Sequence, residues 1–190
     1  MLTTAKPSKC KYCKQRMEVI GHKIHPECVD AWWANQKDKI QAKKEREQRR
    51  RDRARSEALE TIPELIKAAQ KEFNAFIRLR DQIAGHPCIS SGRPLDWSGN
   101  AVDAGHYRST GAASHLRFDE DNCHAQSKHD NQYLAGNAVD YRLGLIARIG
   151  LARVERLESN NEPIKWDRDT LRQIKVIYRA KARQLKKEAS

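Results

Sequence analysis

The sequence predicts a helix-rich α+β protein in which a small strand-containing motif is embedded among helices. Three observations carry this prediction: paired cysteine and histidine residues near the amino terminus, a long charged segment without Gly or Pro, and a polar tract at 103–137 between helical patterns. We predict three parts. They are a cysteine-rich domain at 1–35, a basic helical linker or arm at 36–60, and a domain at 61–190 that holds the polar tract and the carboxyl-terminal helices.

Composition sets the broad class of partner. The chain has 190 residues, 33% of them charged and 38% hydrophobic, with a formal net charge of +12, which favours one modest domain plus appendages. No apolar run approaches membrane-spanning length. The charge predicts a polyanionic partner, and the histidine and zinc-ligand features favour nucleic acid over an anionic membrane. The polar amino terminus has no apolar signal region, so we expect a reducing, cytoplasmic compartment without disulfides.

The amino-terminal segment carries two ligand pairs. Cys10 and Cys13 form a C-x-x-C pair, and His25 and Cys28 form an H-x-x-C pair after eleven intervening residues. This two-pair arrangement predicts a structural Zn²⁺ site, a zinc knuckle, with His22 as a competing ligand. The alternative is free thiols beside an incidental histidine. Because the segment is too short to bury a core, we expect the metal to supply most of its folding free energy.

The charged segment at 37–57 predicts a long basic helix. It consists of good helix formers, interleaves acidic and basic residues at i,i+4 spacing, and has almost no apolar face. Such a helix is either a solvated spacer or an arm along phosphates, and we favour both roles together. The candidate DNA contacts in it are Lys43, Lys44, Arg46, Arg49, Arg50, Arg51 and Arg53.

Helical patterns frame the polar tract on both sides. Thr61 and Glu64 predict a capping box, with Pro63 in the first turn. The carboxyl third predicts a helix ending at Gly150, a shorter one, and a long one capped by Asp167 or Asp169. The expected apolar faces contain Leu65, Ile66, Ala69, Phe73, Phe76 and Ile77 in the first helix, Val139, Leu143, Ile146, Ala147 and Ile149 in the second, Val154 and Leu157 in the third, and Leu171, Ile174, Ile177, Tyr178 and Leu185 in the last.

The polar tract predicts a strand, a loop and a short helix with the residue types of a one-metal nuclease. Such an enzyme needs a neutral imidazole to deprotonate water and a hard cation to stabilise the leaving oxygen. We assign the imidazole to His106 and a Mg²⁺ or Mn²⁺ ligand to Asn131. Asp103 can share that cation only if the backbone bulges at Gly105, because its odd offset from His106 puts the two side chains on opposite strand faces. Asn122 is better placed to fix the loop.

Two arginines in the tract are candidates for phosphate binding. Arg108 follows His106 by two residues on the same strand face, where it can hold a phosphate or stabilise transition-state charge. Arg117 is a weaker candidate of the same kind. The alternative for both is an ordinary surface arginine.

Several motifs follow one another along the chain in the order found in a known protein family. They are QKEFNAFIRLRD, PCISSGRPL, DAGHYRS, HLRFDEDN, HAQ at 124–126, the Asn131 position, GN at 136–137 and VDYRLGLIARIG. In these motifs the chain resembles the phage recombination protein family NinG, also called Rap. The resemblance covers residues 64–188 well and the amino-terminal cysteines more loosely.

The resemblance implies a fold and an activity. NinG proteins are similar to HNH (His-Me finger) nucleases, which implies an HNH-like ββα-metal finger embedded among the helices. They are described as structure-specific endonucleases that act on Holliday junctions and D-loops. By position, His106 matches the general-base histidine, Asn122 the middle asparagine and Asn131 the last residue of the HNH pattern. Asp103 is the expected acidic partner.

The chain departs from the family at a second zinc site. The family frames its finger with two C-x-x-C pairs, whereas this chain has Cys88 with Ser91 and Ser127 with Asp130. Neutral serine is a poor zinc ligand. Either hydrogen bonds and packing replaced the metal, or a rearranged site recruits other ligands. The candidates for a rearranged site are His86, Cys88, Cys123, His124, His129 and Asp130.

The sequence leaves other functions open. A non-catalytic DNA-binding recombination accessory with a degenerate finger is one alternative, and an RNA-binding zinc protein is another. For the enzyme we expect branched DNA as substrate, a homodimer formed through helices because a junction has pseudo-twofold symmetry, and host or phage recombination proteins as further partners.

Overall fold

The computed structural model describes residues 8–17 and 23–189. The chain divides into two compact units, Met1–Glu60 and Thr61–Ser190. Helices dominate the described residues, and one two-stranded sheet lies in the second unit. The predicted helix-rich α+β class is therefore confirmed. Among the described residues, no helix is both long and apolar enough to cross a membrane.

The first unit consists of a tight amino-terminal turn and a long helix. The turn is closed by a bridge between Lys9 and Arg16. A single 3-10 turn, Pro26–Cys28, leads into helix α1 (Val29–Leu59), which has no buried residue. The predicted exposed helix is confirmed, and it begins earlier than the charged segment. Ion pairs at i,i+4 spacing support it, with Arg49 paired to Glu45 and Arg53 paired to Glu57.

Helix α2 (Ile62–Ile83) opens the second unit as the sequence predicts. Thr61 and Glu64 form the capping box, in which the Thr61 backbone N–H donates to the Glu64 carboxylate at 2.7 Å. The apolar face of α2 packs against helix α5 (Arg168–Glu188), which is capped by Asp167. The shared core contains Phe73, Phe76, Ile77, Ala104, Cys123 and Tyr178.

The sheet is a short antiparallel ribbon with a regular register. Strand β1 (Val102–His106) pairs with β2 (Cys123–Ser127), from Val102 opposite Ser127 to His106 opposite Cys123. Every residue of each strand has one partner, so no bulge interrupts the alternation of side chains. The face that carries Ala104 and Cys123 packs on α2 and α5.

A single π-helical turn, His129–Tyr133, follows β2 and leads to helices α3 (Ala138–Ile149) and α4 (Leu151–Ser159). The predicted apolar face of α3 is wrong in part, because Val139 and Leu143 are exposed whereas Tyr141 and Leu145 are buried. Gly144 explains the difference. A Cβ at this position would overlap the backbone carbonyl of Ile89, so the glycine lets this face of the helix approach the loop after α2.

Candidate functional site

The amino-terminal ligand pairs come together. The ligand atoms of Cys10, Cys13, His25 and Cys28 all lie within 4.8 Å of one another. His25 Nδ1 lies 3.3 Å from the Cys13 sulfur, and His25 Nε2 donates to the Arg16 carbonyl at 3.3 Å. That bond places the ring proton on Nε2 and leaves the Nδ1 lone pair facing the thiols, as a zinc-bound histidine requires.

The thiols of this cluster titrate unequally. Burial alone raises the pKa of Cys10, but hydrogen bonds from the backbone of His25, Cys13 and Tyr12 lower it to about 6. Burial and the neighbouring Cys13 and Cys10 raise the pKa of Cys28 to about 11. A dication among the sulfurs favours the thiolate form of all of them, so the group fits zinc. The competing ligand His22 lies outside the described residues.

Cys88, Ser127 and Asp130, which stand where the family has its second zinc site, are connected by hydrogen bonds. The Cys88 thiol donates to Asp130 Oδ2 at 3.1 Å, and the Ser127 hydroxyl donates to the same oxygen at 2.8 Å. The Ser127 backbone N–H donates to the Cys88 sulfur at 3.3 Å. Burial alone would raise the pKa of Asp130, but Cys88, Ser127 and the nearby Ser91 lower it. These contacts support the alternative in which hydrogen bonds replaced the metal.

A rearranged zinc site does not form among the described residues. Cys123 is buried with its sulfur 3.6 Å from the His106 ring, and His124 accepts a hydrogen bond from Arg80 at 3.0 Å beside Asp81. These residues therefore point to different partners. Across residues 8–17 and 23–189, the amino-terminal group is the one place where three or more His, Cys, Asp or Glu ligands converge.

His106, the predicted general base, is the last residue of β1. Its Nε2 lies 3.0 Å from the Arg117 carbonyl, which can only accept, so Nε2 carries the proton and Nδ1 carries the lone pair. The ring lies against Phe73, with 6.0 Å between centroids. Burial lowers the pKa of His106, although the Arg117 carbonyl opposes this. The ring is thus neutral near pH 7, the protonation state that a general base needs.

Asp103 and Asn131, the predicted cation ligands, are in contact. Asn131 Nδ2 donates to Asp103 Oδ2 at 2.9 Å, and Gln132 donates to the same oxygen at 2.9 Å. The backbone bulge that would carry Asp103 to the His106 side does not form, because the register is regular through Gly105. Asp103 and His106 therefore leave opposite faces of the ribbon.

Asn122 is fully buried in the loop that joins the strands. Its side-chain oxygen accepts from the Arg108 backbone N–H at 2.8 Å. Its amide nitrogen donates to the carbonyls of Arg108 and Leu116 at 3.0 and 3.1 Å. These bonds tie the two ends of the loop together and support the carbonyl of Arg117, which follows Leu116. They are the side-chain to backbone contacts expected of Asn122.

The two arginines of the tract have internal partners. Arg108 lies beyond the end of β1, and its guanidinium donates to the carbonyls of Leu157 and Asn160 at 2.8 and 2.6 Å. Arg108 thus caps the carboxyl end of α4, and its predicted phosphate contact stays a prediction. Arg117 donates to the Thr110 carbonyl at 3.1 Å. The seven basic candidates on α1 are all exposed: Lys43, Lys44, Arg46, Arg49, Arg50, Arg51 and Arg53.

Two glutamines of the site were missed by sequence reasoning. Gln132 binds Asp103, and Gln126 is fully buried opposite Asp103 in the register. The signal for Gln126 was its place in the HAQ motif. Gln132 has no signal beyond its position after Asn131.

Comparison with known proteins identifies the family. The family model described as "Bacteriophage Lambda NinG protein" matches residues 3–188. The chain belongs to the NinG family. "Protein ninG" of Escherichia phage 933W is 37% identical, and that of Escherichia phage lambda 35% identical, each over 98% of both chains. The NinG relative of Salmonella phage P22 is 37% identical over 88% of this chain and 90% of its own. No solved structure matches this NinG sequence.

Proposed function

We propose that this NinG-family chain is a metal-dependent endonuclease that hydrolyses phosphodiester bonds in branched DNA, such as Holliday junctions and D-loops. The observation that carries the proposal is the bond between His106 Nε2 and the Arg117 carbonyl. It leaves a neutral imidazole whose basic nitrogen, Nδ1, faces the Cys123 sulfur at 3.6 Å, in a ring whose orientation is fixed by its neighbours.

The base acts through Nδ1 of His106. This nitrogen takes the proton of the attacking water, and the Arg117 carbonyl stabilises the imidazolium that results. The Cys123 sulfur lies 3.6 Å from this nitrogen and competes with the water for it. Burial raises the pKa of this thiol, so it stays neutral, and the attacking water would have to displace this contact to reach Nδ1.

Asp103 and Asn131 would hold Mg²⁺ or Mn²⁺, because both cations prefer carboxylate and amide oxygens. When bound, the cation supplies charge stabilisation for the departing 3′ oxygen. Since Asp103 and His106 leave opposite faces of the ribbon, the proposal requires the scissile phosphate to approach at the end of β1, where His106 is the last paired residue.

Charge and shape would select the substrate. The exposed basic residues of α1 contact phosphates without reading bases, so binding depends on the backbone geometry of the junction. A homodimer would match the pseudo-twofold symmetry of a four-way junction. We place this activity in the cytoplasm of the infected host, with other recombination proteins as further partners.

A second function is a non-catalytic DNA-binding accessory of recombination. The observation that favours it is the regular register, which separates His106 from Asp103. The RNA-binding alternative rests on the basic helix alone.

One experiment separates these functions. The purified protein is incubated with a four-way junction, a linear duplex and a matched RNA, each with Mg²⁺ or Mn²⁺. His106→Ala is compared with His115→Gln, a control that changes a half-buried histidine bonded to Asn160 instead. We expect metal-dependent cleavage of the junction that is lost only in His106→Ala. Binding without cleavage in both metals would support the accessory, and a preference for RNA would support the third function.

A further inference from the structure

The side chain of Gln126 holds a carbonyl oxygen that has no hydrogen-bond partner among the described residues, although the side chain is fully buried. Its amide nitrogen donates to the Gly136 carbonyl at 2.7 Å and to the Ser90 hydroxyl at 2.5 Å. Since a carbonyl can only accept, the nitrogen must face Gly136 and the position of Oε1 is fixed. A buried oxygen without a partner destabilises the fold, so its presence here requires a physical reason.

Gly105 makes room for this oxygen. A Cβ at Gly105 would overlap Gln126 Oε1, so the oxygen occupies the space of a side chain at that position. The φ of Gly105 does not require glycine, whereas the close approach of Gln126 does. The glycine that precedes His106 thus admits an oxygen from the neighbouring strand.

The same face of the ribbon carries the proposed cation ligands. Asp103 is the register partner of Gln126, and both share their face with Gly105. Asn131, which follows β2 in the chain, donates a hydrogen bond to the Asp103 carboxylate at 2.9 Å. Asp103 and Asn131 are half-buried, and Gln126 is fully buried opposite Asp103 in the ribbon.

We propose that Gln126 is the third protein ligand of the cation that Asp103 and Asn131 hold, an inference that rests on the metal site of the proposed function. Asn131 turns its amide so that Oδ1 replaces Nδ2 beside Asp103, and the Gln126 oxygen gains its missing partner. One carboxylate and two neutral oxygens form a hard donor set, which selects Mg²⁺ or Mn²⁺ and disfavours Zn²⁺. The site therefore differs in metal from the amino-terminal cluster.

The test measures binding of Mn²⁺ to the full-length, zinc-loaded protein, by the electron paramagnetic resonance signal of free Mn²⁺ and by the Mn²⁺-induced shift in melting temperature. Gln126→Met keeps the volume of the side chain and removes the oxygen. We expect it to weaken Mn²⁺ binding by about tenfold or more and to abolish the thermal shift. Ser90→Ala is the matched control, because it removes a partner of the amide nitrogen and leaves the oxygen in place.

Gln126→Glu provides the second variant. It keeps an oxygen at the site and adds a negative charge, so Mn²⁺ binding should tighten. A purely structural role for Gln126 predicts lower melting temperatures without a change in Mn²⁺ affinity in either variant, and that result would overturn the proposal. His106→Ala should bind Mn²⁺ normally. Wild-type protein that binds no Mn²⁺ at this site would refute the metal site of the proposed function, whereas equal binding by wild type and Gln126→Met would refute the role of Gln126 alone.

Discussion

The thiol of Cys88 donates a hydrogen bond to the carboxylate of Asp130 across 3.1 Å, and this bond joins the loop after α2 to the turn after β2. Ser127 donates to the same oxygen, and its own backbone N–H donates to the Cys88 sulfur. Hydrogen bonds to a charged acceptor are stronger than those between neutral groups. The two segments are therefore held by a carboxylate at the place where two C-x-x-C pairs would hold a metal.

The first prediction concerns zinc content. We expect elemental analysis to find about one zinc ion per wild-type chain, bound by the amino-terminal cluster. The triple variant S91C/S127C/D130C should raise the content to about two zinc ions per chain, because the three new cysteines and Cys88 provide four thiolate ligands. D130C alone should remain at about one. Two zinc ions in the wild type would contradict the hydrogen-bonded arrangement.

The second prediction concerns the loop between the strands. Asn122→Ala should lower the free energy of unfolding by about 1–3 kcal/mol, because the Arg108 N–H and the Leu116 carbonyl lose their buried partner. Urea denaturation monitored by circular dichroism measures the change. Asn100→Ala, at an exposed position, is the control and should shift stability by less than about 0.5 kcal/mol. Equal effects of the two variants would show that Asn122 does not anchor the loop.

Local signals in the sequence were sufficient for much of the fold. The capping box of Thr61 and Glu64 fixes the start of α2 within a few residues, and the ligand pairs of the amino-terminal cluster act over a short span. The charged helix α1 needs no tertiary partner, so its composition predicts both its structure and its exposure.

Distant contacts decided what the sequence could not predict. The face that α3 buries depends on the approach of Gly144 to the Ile89 carbonyl, which periodicity does not reveal. Arg108 has the spacing of a phosphate ligand, but the end of α4, some fifty residues along the chain, supplies its partners. Strand alternation predicts that the side chains of Asp103 and His106 lie on opposite faces of the strand. Only the register shows that no bulge brings them to the same face.

The third prediction concerns stability against pH. Burial lowers the pKa of both His106 and His124, whereas an unfolded histidine titrates near about 6.5. Below that pH, histidines of the unfolded chain bind protons that the same rings in the folded protein do not bind. The free energy of unfolding therefore falls as pH drops from about 6.5 through the folded pKa values. Above about 6.5 these rings contribute no such dependence.

Urea denaturation at about pH 7.5 and about pH 5.5 measures this effect. The wild type should be less stable at the lower pH, and His124→Gln should lose part of that difference because one of the two rings no longer titrates. The opposite sign, with greater stability at the lower pH, would mean that the folded state favours the charged rings.

The fourth prediction concerns the basic helix. Each Lys or Arg that contacts a phosphate of duplex DNA steepens the dependence of log Kd on log salt concentration by about 0.9. On α1, Arg49 and Arg53 are paired with Glu45 and Glu57, whereas the structure of residues 8–17 and 23–189 describes no ion pair for Arg50 and Arg51. Unpaired side chains reach a phosphate without first breaking an internal contact.

Two matched variants test this difference. R50Q/R51Q and R49Q/R53Q remove the same charge, and glutamine keeps the helix propensity of arginine. Fluorescence anisotropy with a four-way junction, over a series of salt concentrations, gives the slope for each protein. We expect R50Q/R51Q to reduce the slope by up to about 2 and R49Q/R53Q to reduce it by less, because the acids already offset those charges. Slopes equal to that of the wild type in both variants would show that α1 is a solvated spacer, and the phosphate contacts would then have to come from the second unit.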